Sequence, residues 1–301
     1  MNKRAKPRTL QTMKNAEPYV WLLPSIILMT FMIVVPIFTV FKISMTKVGR
    51  SGKLLGFNGI DNYIAIFKDP VFWMTLRNTV IWTIVVVGVS TLIGFILAMV
   101  LNTEFKGRKF VRATVIFPWA TALIIQSVIW KYIINAEHGS LNVLLHKFGI
   151  IDQFINFTPT AATMFAWECW VGIFVTFPFV TFCVLSGLQS IDSSYYEAAE
   201  MDGATFWNKL FNITLPLVMP SLTVSTVLNI IYVFNSFPIV WTISKGAPAN
   251  QTHTLVTYLY YLSFSEGKAG HAAAVSVIGF VVLSICASIY MIMSLRAEQE
   301  D

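Results

Sequence analysis

Charge is what this 301-residue chain has least of: Asp, Glu, Lys and Arg make up 12% of it, against about 25% in a typical soluble domain. With 56% hydrophobic residues and a mean hydropathy of +0.68, that scarcity excludes an ordinary water-soluble domain. Cysteine is also sparse. Cys169, Cys183 and Cys286 fall inside apolar runs without paired spacing, which supports neither a disulfide framework nor a zinc site and leaves them as small packing residues. The chain has no GxxxxGK[ST], HExxH or GxSxG, so it carries no phosphate-cradling P-loop, zincin helix or nucleophile elbow. An intramembrane enzyme would need a nucleophile–base pair or a metal-ligand cluster, and neither is seen. Gly/Ser linkers, low-complexity tracts and tandem repeats are missing too, which leaves one domain behind a short basic tail at 1–18.

Long apolar runs are what it does have. A helix needs about 20 mostly apolar residues to cross the hydrocarbon layer, and six stretches qualify: 19–42, 75–101, 112–134, 161–186, 217–242 and 271–295. The expectation is an all-α membrane protein with six transmembrane helices over 19–295, both termini on one side, and a tail at 296–301. The first run exceeds a signal peptide's apolar region and lacks a small-residue cleavage site, so it reads as an uncleaved helix. Basic residues in such a chain report topology rather than nucleic-acid binding. Lys3, Arg4, Lys6, Arg8 and Lys14, with Lys106, Arg108, Lys109 and Arg112, favour an inside N-terminus, although Lys42, Lys47, Arg50, Lys53, Lys68 and Arg77 blur the bias.

Between two runs lies a polar stretch, YYEAAEMDGATFWNKLFNITLPL, at 195–217. Ser194-x-x-Glu197 fits a capping box opening a helix, Ala198 and Ala199 give it a small flat face, and Gly203 stands where a left-handed residue would end it. A second short helix is expected at 205–213, feeding through Leu215-Pro216 into the fifth run. By itself this pattern is equally that of a solvated helix-turn-helix. The order Glu197-Ala198-Ala199, Gly203, Ile213, Leu215, Pro216 resembles, at every signature position, the EAA motif E-A-A-x3-G-x9-I-x-L-P of permease subunits in binding-protein-dependent ABC importers. Tyr196 with Asp202-Gly203-Ala204, and GFNGIDNYIAIF (56–67), FKGRKFVRATVIFP (105–118) and GLQSID (187–192), are similar to the carbohydrate-uptake branch.

That resemblance implies a type I ABC importer permease fold, N-in and C-in, in a bacterial cell membrane. It implies a cytoplasmic EAA loop at about 187–216 whose Glu197, Ala198, Ala199, Asp202 and Gly203 dock on a separate ATPase dimer. ATP and Mg would act there, with no cofactor on this chain. A second permease and an extracytoplasmic sugar-binding protein would complete the assembly. A T-x-G-G-P-like element at TISKGAP, with Lys245 and Ala247 as departures, suggests the first permease type of a heterodimer.

Two runs carry a proline between aromatics, Phe117-Pro118-Trp119 and Phe177-Pro178-Phe179, and proline kinks a helix. Both kinks would lie roughly 9 to 12 Å from the inner surface at 1.5 Å per residue. Trp119 and Phe179 are therefore candidate platforms for a sugar's C–H face, against the ordinary role of packing on lipid or neighbouring helices. Asn235 and Ser236, in a stretch resembling the family's cavity-lining segment, are further candidates for the substrate path; an Asn there can equally tie helices together. Glu168 is the one carboxylate well inside a run. It would meet a sugar hydroxyl or a cation such as Lys131, or else face water at the vestibule mouth. Residues 253–264 place Leu255, Val256, Leu259 and Leu262 at helical spacing, as expected of an amphipathic surface helix anchored by Tyr258, Tyr260 and Tyr261. The rival reading is an ion-coupled secondary transporter, which needs no ATPase but needs ionisable groups along an ion path.

Overall fold

The computed structural model describes residues 21–300, with side chains to 292; the basic tail at 1–18 lies outside the described residues. The chain opens with α1 (Trp21–Ser44) and a hairpin, β1 (Thr46–Val48) and β2 (Leu54–Phe57), in antiparallel register Thr46 to Phe57. There follow α2 (Asp61–Phe67), the long α3 (Pro70–Asn102), α4 (Arg108–Ala120), α5 (Leu123–Ile133) and α6 (Ser140–Lys147). The second half runs through α7 (Ala161–Gln189), α8 (Ser193–Met201), α9 (Phe206–Phe234), α10 (Phe237–Ile243), α11 (Leu255–Tyr260) and α12 (Ala269–Glu300). Among the described residues, five helices are long and apolar enough to cross a membrane, or six if α4 and α5 form one bent span.

The core lies where α3, α7, α9 and α10 meet. Trp82, Val86, Val171, Val175, Val233 and Val240 are buried together there. Hydrocarbon gives apolar side chains no solvent-driven reason to associate, so close backbone approach and hydrogen bonds must hold the helices. Both are present. A Cβ on Gly94 of α3 would lie 2.8 Å from Val180 Cβ on α7. Asn229 Nδ2 on α9 donates to Ser90 Oγ on α3 at 2.9 Å, and Trp82 Nε1 donates to the Val233 carbonyl at 2.9 Å.

Proline sets several boundaries, though not always where the sequence places them. The run expected at 112–134 is broken: α4 ends past Pro118, Thr121 and Ala122 are extended, and α5 leaves at 98°. Pro118 removes one backbone donor, but the turn comes where packing takes over, with Trp130 of α5 set edge-on to Trp170 and Phe174 of α7. By contrast α7 passes through Pro178 without interruption. The span expected at 217–242 starts earlier and stops at Phe234; Asn235 Nδ2 caps the Ile231 carbonyl, and Pro238 opens α10. No separate helix ends at Ile213. Instead a π turn, Leu210–Thr214, carries α9 onward past Pro216, as a second π turn, Thr30–Val34, precedes Pro36 in α1. The wide turn gives the proline ring room that an α turn denies it.

The segment expected to lie on the membrane surface is buried instead. Leu255, Thr257, Tyr258 and Leu262 of α11 and its π continuation are inside the molecule. Several polar groups that would object have partners: Thr254 and Thr257 form a capping box, Leu255 N donates to Thr79 Oγ1, and Tyr258 Oη donates to Asp69 Oδ2 at 2.6 Å, while His253 Nε2 is buried without one.

Candidate functional site

Two regions hold seven of the ten sequence-derived site residues. In the first, α4 and α7 bring Trp119 and Phe179 together, with ring centroids 6.3 Å apart and planes 26° from parallel. They line a cavity of about 200 Å3 with Thr176, Leu228, Asn229 and Tyr232. One wall is aromatic and the other carries polar atoms. Asn229 is fully buried and its amide nitrogen is held by Ser90, which leaves Oδ1 without a protein partner. Asn229 borders the cavity, and an unpaired, oriented acceptor buried just behind its wall is a group that a hydroxyl donor would satisfy. Asn229 and Tyr232 escaped the sequence reading because they lie on α9 about two turns and one turn before the Asn235 that drew notice, and Thr176 went unremarked beside Phe177-Pro178-Phe179. The i, i+3 spacing of Asn229 and Tyr232 would have put both on one face.

Asn235 and Ser236 do not line this cavity. Asn235 bonds its own helix end, and Ser236 is buried at the α9–α10 break with its hydroxyl unpartnered. Nor does Glu168 face a water-filled mouth: it has no exposed surface, and neither carboxyl oxygen makes a hydrogen bond of good geometry. The Ser244 hydroxyl is the side chain that bears on it. Lys131 is turned elsewhere, donating to the Thr242 carbonyl at 2.8 Å. A wider recess of about 600 Å3 beside Trp130, Trp167 and Trp170 is almost wholly apolar and offers a polar solute little to bind.

The second region is α8. Its cap differs from the expected box: Asp192 accepts from Ser194 N at 2.9 Å, so Ser194 sits in the first turn and Glu197 is free of capping. Asp192 precedes the helix with extended backbone and offers a charged acceptor, which outcompetes a serine hydroxyl. Hydrogen bonds from Ser194 hold its carboxyl below the ordinary aspartate range. The other end is as expected. Gly203 has φ +73, Ala204 N reaches the Ala199 carbonyl at 2.9 Å and Gly203 N reaches Glu200 at 3.0 Å, which is a Schellman motif. Glu197, Ala198, Asp202 and Gly203 are exposed, and Ala199 is half-buried. Met201, 89% exposed, extends this surface with a large apolar side chain that the sequence reading passed over.

A bundle of membrane-length helices with a solvent-facing helix at 193–201 and a small aromatic-lined cavity between helices is the architecture of a multi-pass membrane protein. The chain belongs to the family of binding-protein-dependent transport system inner membrane components, whose model matches residues 90–296. It is 42% identical over 94% of its length to a probable ABC transporter permease of Brucella suis, 98% of which is covered. It is 33% identical to the sulfoquinovosyl glycerol transport system permease SmoG of Agrobacterium fabrum, covering 92% of this chain and 89% of that one. With the trehalose/maltose transport system permease MalF of Thermococcus litoralis it shares 30% identity over 91% of this chain and 92% of that one. In fold it matches a chain of a bacterial ABC transporter that imports alginate, with TM-score 0.82 and 22% identity over 96% of this chain and 99% of the other.

Proposed function

We propose that this chain is the first-type permease of a heterodimer that imports a sugar or oligosaccharide by alternating access. An extracytoplasmic binding protein delivers the sugar, and an ATPase dimer hydrolyses ATP with Mg on the inner side. Both termini and the EAA loop are then cytoplasmic. The observation that carries this reading is α8 itself: a short helix closed by a left-handed glycine, presenting Glu197, Ala198, Asp202 and Met201 to solvent. Such a surface has no use inside the subunit, and it suits a cleft in a protein that closes on nucleotide. ATP binding closes the ATPase dimer, α8 moves, and the spans favour the outward-open arrangement.

A sugar as cargo is supported by the transport names of the Agrobacterium and Thermococcus relatives and by the cavity. Trp119 and Phe179 suit a C–H face, and Asn229 Oδ1 suits a hydroxyl. At about 200 Å3 the cavity is smaller than the roughly 300–1,000 Å3 of a complete small-molecule site, which fits a half-site finished by the second permease. The ion-coupled alternative lacks support: Glu168 is sealed in without a charged partner among the described residues, and Lys131 sits on a carbonyl.

The test is purification of the complete complex with its ATPase, followed by uptake in proteoliposomes. The sugar is chosen by binding a mono- and disaccharide panel to the partner binding protein. Ala198→Trp should release the ATPase and stop uptake. ATPase retention with full uptake in that variant, or uptake that survives ATP depletion and collapses with an ion gradient, would reject the reading.

A further inference from the structure

The link between α8 and α9 is Asp202–Thr205, a turn through one left-handed glycine. A joint that short would let α8 swing unless side chains fixed it. In α8 the residues withdrawn from solvent are Tyr196 and Ala199, at i and i+3, so this is the face turned to the body. Tyr196 Oη lies 3.0 Å from Thr214 Oγ1, on the π turn at the foot of α9, and Thr214 is buried. Thr214 Oγ1 donates its single proton to the Lys209 carbonyl at 3.2 Å, so the phenol is the donor to Thr214. The π turn matters to this aim. Its extra residue rotates Thr214 about 100° relative to the residues before it, as one residue does in a helix of 3.6 per turn.

We propose that Tyr196 and Thr214 are positioning residues that lock α8 to the foot of α9, so that helix and span move as one lever. This rests on the coupling reading above and deepens it. The Lys209–Glu200 pair, 2.8 Å apart, spans the same joint from the solvent side, where an exposed ion pair orients more than it stabilises. Around the lock, a cavity of about 190 Å3 is lined by Met99 and Asn102 from the end of α3, Leu188 from the end of α7, and Tyr196 and Thr214. The root of the lever therefore faces the ends of two core helices across this cavity, and α7 also carries Phe179 of the candidate sugar site.

The experiment uses the complete complex in proteoliposomes, with the radiolabelled sugar that the binding protein selects from the panel, and measures both uptake and ATP hydrolysed. Tyr196→Phe and Thr214→Val each remove the hydroxyl contact with little change of volume. Losing one ordinary hydrogen bond shifts a two-state balance by roughly threefold to tenfold. Sugar imported per ATP should fall by that factor, with complex yield and hydrolysis retained. The double variant should be no worse than either single one, because they break the same contact. Thr214→Ser, which keeps the hydroxyl, should restore the ratio. An unchanged ratio in both single variants, a serine as defective as valine, or a loss confined to complex yield would overturn the lock. If Ala198→Trp blocks ATPase docking while Tyr196→Phe leaves the ratio untouched, the lock alone fails. A wild-type complex that recruits no ATPase sinks the coupling reading with it.

Discussion

Gly94 and Gly88 lie on the same helix, α3, and should respond oppositely to the same substitution. A Cβ at Gly94 would sit 2.8 Å from Val180 Cβ, 2.9 Å from Val180 Cγ1 and 3.1 Å from the Thr181 backbone nitrogen. Ordinary carbon contacts are about 3.5–4.0 Å, so α7 must retreat by several tenths of an ångström, and the backbone nitrogen cannot rotate away. Forcing a methyl into such a contact costs about 1–3 kcal/mol. At Gly88 the added Cβ has nothing within 4 Å. Both variants gain the same helix-propensity term of roughly 0.5–1 kcal/mol over glycine, so it cancels in their difference. Gly94→Ala should therefore be less stable than Gly88→Ala by about 1–3 kcal/mol in denaturant or thermal unfolding of the detergent-solubilised protein. It should also slow uptake, since Val180 adjoins Phe179. Equal stability of the two variants would refute the close approach of α3 and α7 on which the core description depends.

At Gly203, φ +73 and open space mean that strain comes from the backbone alone. Gly203→Ala should weaken the turn by about 1–2 kcal/mol, and Gly203→Val by more, read as reduced ATPase retention during purification. Removing the cavity's acceptor by Asn229→Ala should raise the sugar concentration for half-maximal uptake about tenfold or more, whereas Asn235→Ala should leave it unchanged. His253 is fully buried outside the spanning helices, and burial pushes its pKa down to about 4. The unfolded chain therefore binds the proton first, and stability should fall as pH drops from about 6.5 toward 4, by roughly 3 kcal/mol in all. His253→Gln should flatten that stretch of the unfolding-versus-pH curve.

Five of the six expected spans and the turn at Gly203 were legible in the sequence because each rests on local physics. Twenty apolar residues suffice to mark a crossing, and Gly203 marks a left-handed C′ position whatever surrounds it. Where tertiary packing decided, the sequence misled. Leu255–Tyr260 has an amphipathic pattern, yet Thr79 and Asp69, distant in the chain, supply the partners that let it sink inward. Pro118 and Pro178 look alike in sequence, but the helix turns sharply only near the first, where α5 has an aromatic wall to pack on. Trp119 and Phe179 drew notice by their aromatic character, and the structure brings the two rings together. Asn229 drew none, because its value lies in Ser90 holding one end of its amide and leaving the other bare.

The elbow after Thr121 divides the crossing beside the cavity. The 13 residues of α4 extend about 20 Å along their axis, and the 11 residues of α5 depart at 98° and extend about 16 Å. A full crossing needs about 30 Å. Neither limb alone is that long, so the segment that carries Trp119 is not a straight spanning helix of the kind that α3 and α7 are.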